Sequence, residues 1–195
     1  MVDPGLIITI ARQNGSGGRE VGRILSELTG IRCYDREMIA ETARITGKDC
    51  DEVKLNEERP AHSAISFYGI EPMSPIFETQ SAVIKDIAKG GPAIIVGRCA
   101  DYILRDRDNV INVYVHADIE IRAKRSSERN STEFENAKTW VLKTDDDRSR
   151  YYSRCTGRPW GLSSNYDIAI DTGKIGTKNA AELILSYLKM AGYEL

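Results

Sequence analysis

The glycine-rich stretch at residues 13–20 has the composition best suited to bind an anion. Gly15, Gly17 and Gly18 stand around Ser16, directly after an apolar run and before residues with helical spacing. Such a loop can turn its backbone N–H groups inward, and the following helix directs its positive dipole end toward the same point. The pattern therefore favours a bound phosphate, and the alternative is a glycine turn without a ligand.

The loop departs from the nucleoside-triphosphate pattern G-x-x-x-x-G-K-[ST], whose lysine binds the outer phosphates and whose hydroxyl binds Mg²⁺. With Gly17 as the second glycine, Gly18 stands at the lysine and Arg12 at the first glycine. Shifted by one residue, the pattern has Arg19 at the lysine and Glu20 at the hydroxyl. We favour Arg19 as the cation because it begins the helix, although Arg12 reaching into the site stays an alternative. Mg²⁺ would then rest mainly on phosphates and water.

A dinucleotide-binding loop, G-x-G-x-x-G, is a further alternative. Gly15 and Gly17 fit it, but Glu20 stands at the third glycine. Asp35 lies about 20 residues onward, where such proteins place a ribose-binding acid. The chain shows no paired Tyr and Lys or similar hydride-transfer constellation, so this interpretation carries less weight.

Further candidate residues follow two later apolar runs. Asp35 and Arg36 come after the run at 31–34, and Arg98 and Asp101 come after the run at 93–96. Ligands of parallel sheets bind beyond the carboxyl ends of the strands, so these side chains are candidates for substrate binding. The structural alternatives are a helix cap for Asp35 and a salt bridge between Arg98 and Asp101.

Arginines are concentrated on two predicted helices in residues 122–158. Arg122, Arg125 and Arg129 share one helical face, and a polar connection at about 130–135 leads into a second helix. Two basic helices around a short connection predict a lid that closes arginines over phosphate oxygens. A solvent-exposed charged hairpin is the alternative.

Alternating strands and helices must position all of these residues. Apolar runs at 7–11, 31–34, 93–96, 110–115 and 166–172 predict five strands with helical stretches between them. That alternation predicts a single α/β domain over residues 1–195, with a parallel sheet covered by helices on both faces. Prolines and weak periodicity at 47–75 predict a mobile flap.

The composition excludes several classes of function. A net charge of -2 gives no bulk attraction to nucleic acid, and no apolar run approaches the roughly 20 residues of a membrane span. The four cysteines form no C-x-x-C pair, so we expect no protein-held metal, and reduced thiols in the cytoplasm. The sequence makes no prediction of oligomeric state.

The chain resembles the cytidylate kinase-like family of P-loop proteins over nearly its whole length. The resemblance rests on an ordered set of motifs: I-T-I-A-R-Q-N-G-S-G-G-R-E-V-G, C-Y-D-R-E, I-I-V-G-R-C-A-D, D-D-D-R-S-R-Y-Y, T-G-R-P-W-G and N-Y-D-I-A-I-D-T. It implies a three-layer P-loop fold with sheet order 2-3-1-4-5, a monophosphate-binding flap and a helical lid. It also implies transfer of the γ-phosphoryl group of ATP, with Mg²⁺, to a nucleoside monophosphate, with CMP or dCMP as the expected acceptor.

The resemblance also implies roles for individual residues. Residues that match the triphosphate-binding loop are Gly15, Ser16, Gly17, Gly18, Arg19 and Glu20. Residues that match the acceptor side are Asp35, Arg36, Arg98 and Asp101. Asp145 and Arg148 match a lid motif, D-x-x-R, whose acid binds a ribose hydroxyl and whose arginine binds a phosphate. An upstream arginine of that motif is replaced by Val141, for which Arg158 would compensate, and Arg125 closes from the lid. Because the loop lacks its lysine and hydroxyl, a nucleotide-binding module without turnover is the alternative function.

Overall fold

The computed structural model describes residues 3–35, 40, 41, 44, 45, 47 and 75–195. Its five strands form one parallel sheet of order β2-β3-β1-β4-β5, which confirms the predicted order. The strands are β1 (Ile7–Arg12), β2 (Arg32–Tyr34), β3 (Ala93–Val96), β4 (Val110–His116) and β5 (Ile168–Asp171). β5 begins at Ile168 rather than at residue 166, and it ends before residue 172 because the Asp171 carboxylate accepts a hydrogen bond from the Gly173 N–H and caps the next helix.

Helices cover both faces of this sheet. They are α1 (Gly18–Thr29), α2 (Pro75–Lys89), α3 (Ala100–Ile103), α4 (Ile119–Asn130), α5 (Phe134–Thr156) and α6 (Thr172–Met190). A 3₁₀ turn spans Ser163–Asn165, and α6 is kinked at Gly176.

Two apolar layers hold the sheet in place. On one face Ile8 and Ile10 of β1 pack with residues of α1 and α6, among them Leu25 and Ile184. On the other face Ile7 packs with residues of α2 and α3. The continuous apolar runs of β1 and β3 follow from this burial on both faces, as expected for a central parallel strand.

The parallel arrangement brings all strand carboxyl ends to one edge. The loop after β1, the turn after β3 and the start of α4 meet there. In a dinucleotide-binding fold β2 would lie next to β1, in the order 3-2-1-4-5-6. Here β3 lies between β1 and β2, so the dinucleotide interpretation is wrong.

The predicted lid corresponds to α4 and α5, which a three-residue connection joins at 131–133. The predicted flap at 47–75 lies outside the described residues except at positions 47 and 75. Arg36 also lies outside the described residues. Among the described helices, none has the length and apolar character needed to cross a membrane.

Candidate functional site

The phosphate loop, residues 13–17, connects the end of β1 to the start of α1. Gly15 and Gly17 adopt left-handed backbone conformations, with φ of 76° and 84°. A Cβ atom at Gly15 would lie 2.6 Å from the carbonyl oxygen of Arg122, so this position accepts only glycine. α1 begins at Gly18, and its N-terminal dipole therefore points into the loop.

Two buried side chains of the helical hairpin hold the loop. The Asp145 carboxylate accepts a hydrogen bond from the backbone N–H of Asn14 at 2.6 Å. Arg122 donates to the same carboxylate at 2.5 Å, and to the carbonyl oxygens of Asn14 at 3.1 Å and Ala117 at 2.9 Å. Burial raises the pKa of Asp145, an effect that the Asn14 N–H and Arg122 oppose. Both oxygens of Asp145 thus contact the protein itself.

Arg125 supports the loop from the side of α6. Its guanidinium donates to the backbone oxygen of Thr172 at 3.0 Å and lies 3.4 Å from the carbonyl oxygen of Ser16. Ser16 is fully buried, and its hydroxyl donates to the carbonyl oxygen of Gln13 at 2.8 Å. Both side chains therefore stabilise the shape of the loop from beneath.

Two cavities meet at the carboxyl edge of the sheet. The loop cavity lies over the phosphate loop and is also lined by Arg129 and Trp140. The strand-end cavity lies beyond β1 and β3, and its lining includes Arg98, Asp101, Asp147, Tyr151 and Trp160. Four residues line both cavities: Arg12, Arg19, Thr144 and Arg148. A ligand in one cavity would therefore contact the same arginines as a ligand in the other.

Positive charge is concentrated where the cavities meet. Arg19 Nε lies 2.7 Å from Asp35 Oδ2, and Arg12 Nη2 lies 3.9 Å from Asp35 Oδ1. Burial lowers the pKa of Arg12 well below its ordinary value, and Arg148, Arg98 and Arg19 lower it further by repulsion. None of the described residues that line the loop cavity is acidic. A polyanion bound there would relieve this repulsion.

The turn after β3 holds Arg98 in a strained conformation. Gly97, Arg98 and Cys99 have consecutive positive φ values of 80°, 60° and 53°. Non-glycine residues adopt this region at a cost, and such strain is concentrated at functional sites. Next to this turn, the Asp101 carboxylate accepts a hydrogen bond from the Tyr152 hydroxyl at 2.6 Å, and burial raises the pKa of Asp101.

Comparison with known proteins agrees with this geometry. Residues 7–174 match the model of the cytidylate kinase-like family. The chain belongs to this family. A cytidylate kinase of Methanothrix thermoacetophila is 25% identical over 186 residues, which cover 94% of this chain and 98% of that protein. A cytidylate kinase of Pyrobaculum islandicum is 27% identical over 189 residues, which cover 94% of this chain and 92% of that protein. Membership in the family supports nucleotide kinase chemistry.

Solved structures show the same fold. An uncharacterized protein from Eubacterium ventriosum superposes with a TM-score of 0.78 at 30% identity, covering 95% of this chain and 99% of that one. A shikimate kinase from Acinetobacter baumannii, in complex with shikimate, has a TM-score of 0.56 at 18% identity, covering 97% and 94%. The second likeness concerns the fold alone, which is that of P-loop kinases.

In this member of the cytidylate kinase-like family, some predicted site residues lie apart from the cavities. Glu20 is exposed in the first turn of α1, and Arg158 lies over the ring of Tyr102, 5.3 Å from its centroid. Neither lines the loop cavity or the strand-end cavity. The positive charge of Arg158 opposes the rise that burial causes in the pKa of Asp101.

Four residues of α5 that line the cavities were not among the predicted site residues. Trp140, Thr144, Asp147 and Tyr151 line the cavities beside Arg148, at spacings of three and four residues. This spacing places them on one helical face. The helical periodicity around the D-D-D-R-S-R-Y-Y motif was the signal from which they could have been found.

The groups around the two cavities bear on the choice of cofactor. The glycine loop, the helix N-terminus and the arginines fit a triphosphate. Within the described ranges, no group of three or more His, Cys, Asp or Glu could hold a metal ion. Because Mg²⁺ keeps several waters and binds substrate phosphates, this donor set is compatible with its delivery on ATP.

Proposed function

We propose that the protein transfers the γ-phosphoryl group of ATP to a nucleoside monophosphate, with CMP or dCMP as the preferred acceptor. The observation that carries the proposal is that Arg12, Arg19 and Arg148 line both the loop cavity and the strand-end cavity. A donor over the loop and an acceptor beyond β3 would bring their phosphates together at these arginines.

ATP would supply the phosphoryl group: an oxygen of the acceptor phosphate bonds to the γ-phosphorus, the bond to the β–γ bridging oxygen breaks, and ADP leaves. The acceptor oxygen is already anionic, so the site has no need of a general base. Catalysis then depends on positioning and on neutralising charge on the transferred group. The shared arginines supply that neutralisation.

The remaining residues divide between the substrates. The backbone of Gly15, Gly17 and Gly18 faces the loop cavity, where it would bind the triphosphate. Trp140, half-exposed in the same cavity, offers a surface on which the adenine can stack. Arg98 would hold the acceptor phosphate. The cytidylate kinases among the relatives support a cytidine acceptor.

A coupled ADP-release assay with ATP and Mg²⁺ tests this function. The acceptor panel should contain CMP, dCMP, UMP and AMP, together with shikimate and gluconate as non-nucleotide acceptors. We expect turnover on CMP or dCMP and none on the non-nucleotide acceptors. Turnover restricted to shikimate or gluconate would overturn the proposal.

A nucleotide-binding module without turnover is the second candidate. It is favoured by the missing lysine at Gly18 and by the arginine at the position of the Mg²⁺-binding hydroxyl. ATP binding in calorimetry, together with silence across the whole acceptor panel, would establish it in place of the kinase.

A further inference from the structure

The side chain at the end of β1 occupies the space that the lysine of a P-loop would need. We infer that Arg12, rather than Arg19, is the catalytic cation of the phosphate loop. Compared with the P-loop pattern, the cation stands at position 12 in place of the first glycine, and a glycine stands at position 18 in place of the lysine. The inference rests on the proposed phosphoryl transfer and assigns one of its groups.

The ends of the secondary structure decide the register of the loop. A P-loop follows the order strand, G-x-x-x-x-G-K-[ST], helix. β1 ends at Arg12 and α1 begins at Gly18, directly after the left-handed Gly17. Gly17 is therefore the second glycine of the pattern, Gly18 stands at the lysine and Arg12 at the first glycine. In this register Arg19 replaces the hydroxyl residue, not the lysine.

The two exchanged positions are in contact. A Cβ atom at Gly18 would lie 2.6 Å from Cβ of Arg12 and 2.9 Å from its Cγ. The next nearest atom is Cγ2 of Ile10, at an ordinary distance of 3.6 Å. The stem of Arg12 thus crosses directly over Gly18, and the arginine at one position requires the glycine at the other.

Gly97 accommodates the guanidinium group of Arg12. A Cβ atom at Gly97 would lie 1.8 Å from Nη1 of Arg12, so the head group rests on the bare Cα of Gly97. The Arg12 side chain is 11% exposed and reaches the junction of the two cavities. Gly18 and Gly97 together form a cradle that orients this arginine between donor and acceptor.

Arg19 is less suited to the role. Its side chain is 58% exposed, and its Nε lies 2.7 Å from Oδ2 of Asp35 in an ion pair. A buried, pre-oriented cation stabilises transferred charge better than a mobile exposed one, because water screens the latter. Arg19 lines the cavities as a second, peripheral cation.

Four variants test the exchange: Arg12→Met, Arg12→Gly, Gly18→Lys and the double variant Arg12→Gly/Gly18→Lys. Arg12→Met keeps a stem over Gly18 and removes only the guanidinium. The double variant restores the G-x-x-x-x-G-K pattern with a lysine in the space that Arg12 vacates. Arg23→Met, an exposed arginine of α1 paired with Glu27, is the matched control.

We expect Arg12→Met to fold and to lower kcat by about 100-fold or more, as loss of a group that stabilises transition-state charge does. Gly18→Lys alone should lower the Tm because its Cβ meets Arg12. The double variant should regain at least about ten-fold of the kcat lost in Arg12→Gly. Arg23→Met should match the wild type.

Two results would overturn the inference. The first is that the Arg12→Met variant has the same kcat and the same ATP affinity as the Arg23→Met control. The second is a folded double variant no more active than Arg12→Gly. ATP affinity, followed by fluorescence, keeps the inference separate from the proposed function. If the wild type turns over no acceptor, the kinase proposal fails, whereas Arg12-dependent binding of ATP, rescued in the double variant, still supports Arg12 as the loop cation.

Discussion

The Asp145 carboxylate accepts a hydrogen bond from the backbone N–H of Asn14 at 2.6 Å, between residues 131 positions apart. This bond joins the middle of α5 directly to the phosphate loop. With Arg122 on its other oxygen, Asp145 couples the position of the helical hairpin to the shape of the loop. We propose that the acid of the D-x-x-R motif acts here as a positioning residue for the loop, whereas Arg148 faces the cavities.

Asp145→Ala should therefore weaken both the fold and the loop. Removing one partner of a buried charge pair leaves Arg122 and the Asn14 N–H unsatisfied, at a cost of about 3 kcal/mol in the free energy of unfolding. Urea denaturation measures this loss, and the KM for ATP should rise. Asp146→Ala removes an exposed carboxylate paired with Arg150 and should cost no more than about 1 kcal/mol. Equal effects of the two substitutions would contradict the positioning role.

The two tryptophans of the chain report on different cavities. Trp140 lines the loop cavity and Trp160 lines the strand-end cavity. In Trp160→Phe, ATP should quench the remaining emission while CMP has little effect. In Trp140→Phe, CMP should quench it while ATP has little effect. Quenching by the same nucleotide in both variants would show that donor and acceptor are not divided between the cavities as proposed.

Arg98→Ala tests the acceptor side. Because a charged hydrogen bond to a phosphate contributes about 1.5–3 kcal/mol, the KM for CMP should rise roughly 10- to 100-fold. ATP affinity should stay near the wild-type value, since Arg98 lines only the strand-end cavity of the two. Arg105→Ala is the control, because Arg105 stacks on Tyr102 away from both cavities. A rise in the KM for ATP alone would contradict the assignment.

Asp101 should impose a pH dependence on stability. Burial raises its pKa in the folded protein, so the folded state keeps a proton that the unfolded chain has already released above about pH 4. The contribution of Asp101 to stability therefore falls as the pH rises from about 4 through the raised pKa, and is constant above it. Asp101→Asn should remove this slope. Urea unfolding from pH 4 to 7 checks it, and an unchanged slope in the variant would contradict the shifted pKa.

Local patterns predicted the fold because they depend on neighbouring residues. The apolar run of β1, the glycines after it and the helical spacing of α1 each belong to one short segment. Alternation of such segments leaves few ways to form a parallel sheet, and right-handed crossovers restrict them further. The family motifs then supplied the order of the strands.

The site depended on contacts between distant segments, which no local pattern contains. Arg122, on an arginine-rich helical face, lies buried beneath the loop rather than open to a substrate. Trp140 and Tyr151 could be assigned to the cavities only from the packing of α5 beside them. Burial and direction of a side chain are properties of packing, and spacing along the chain does not specify them.

The sequence by itself determined that a strand, a glycine loop and a helix follow one another at the edge of a parallel sheet, because backbone conformation and periodicity are local. Only the tertiary structure distinguished the two candidate cations of the loop. Arg12 and Arg19 are both arginines that flank the loop in the sequence, but β1 directs Arg12 over Gly18 and Gly97 into the junction of the cavities. Arg19 stays exposed on α1, and this difference exists only once β1, β3 and α1 are packed together.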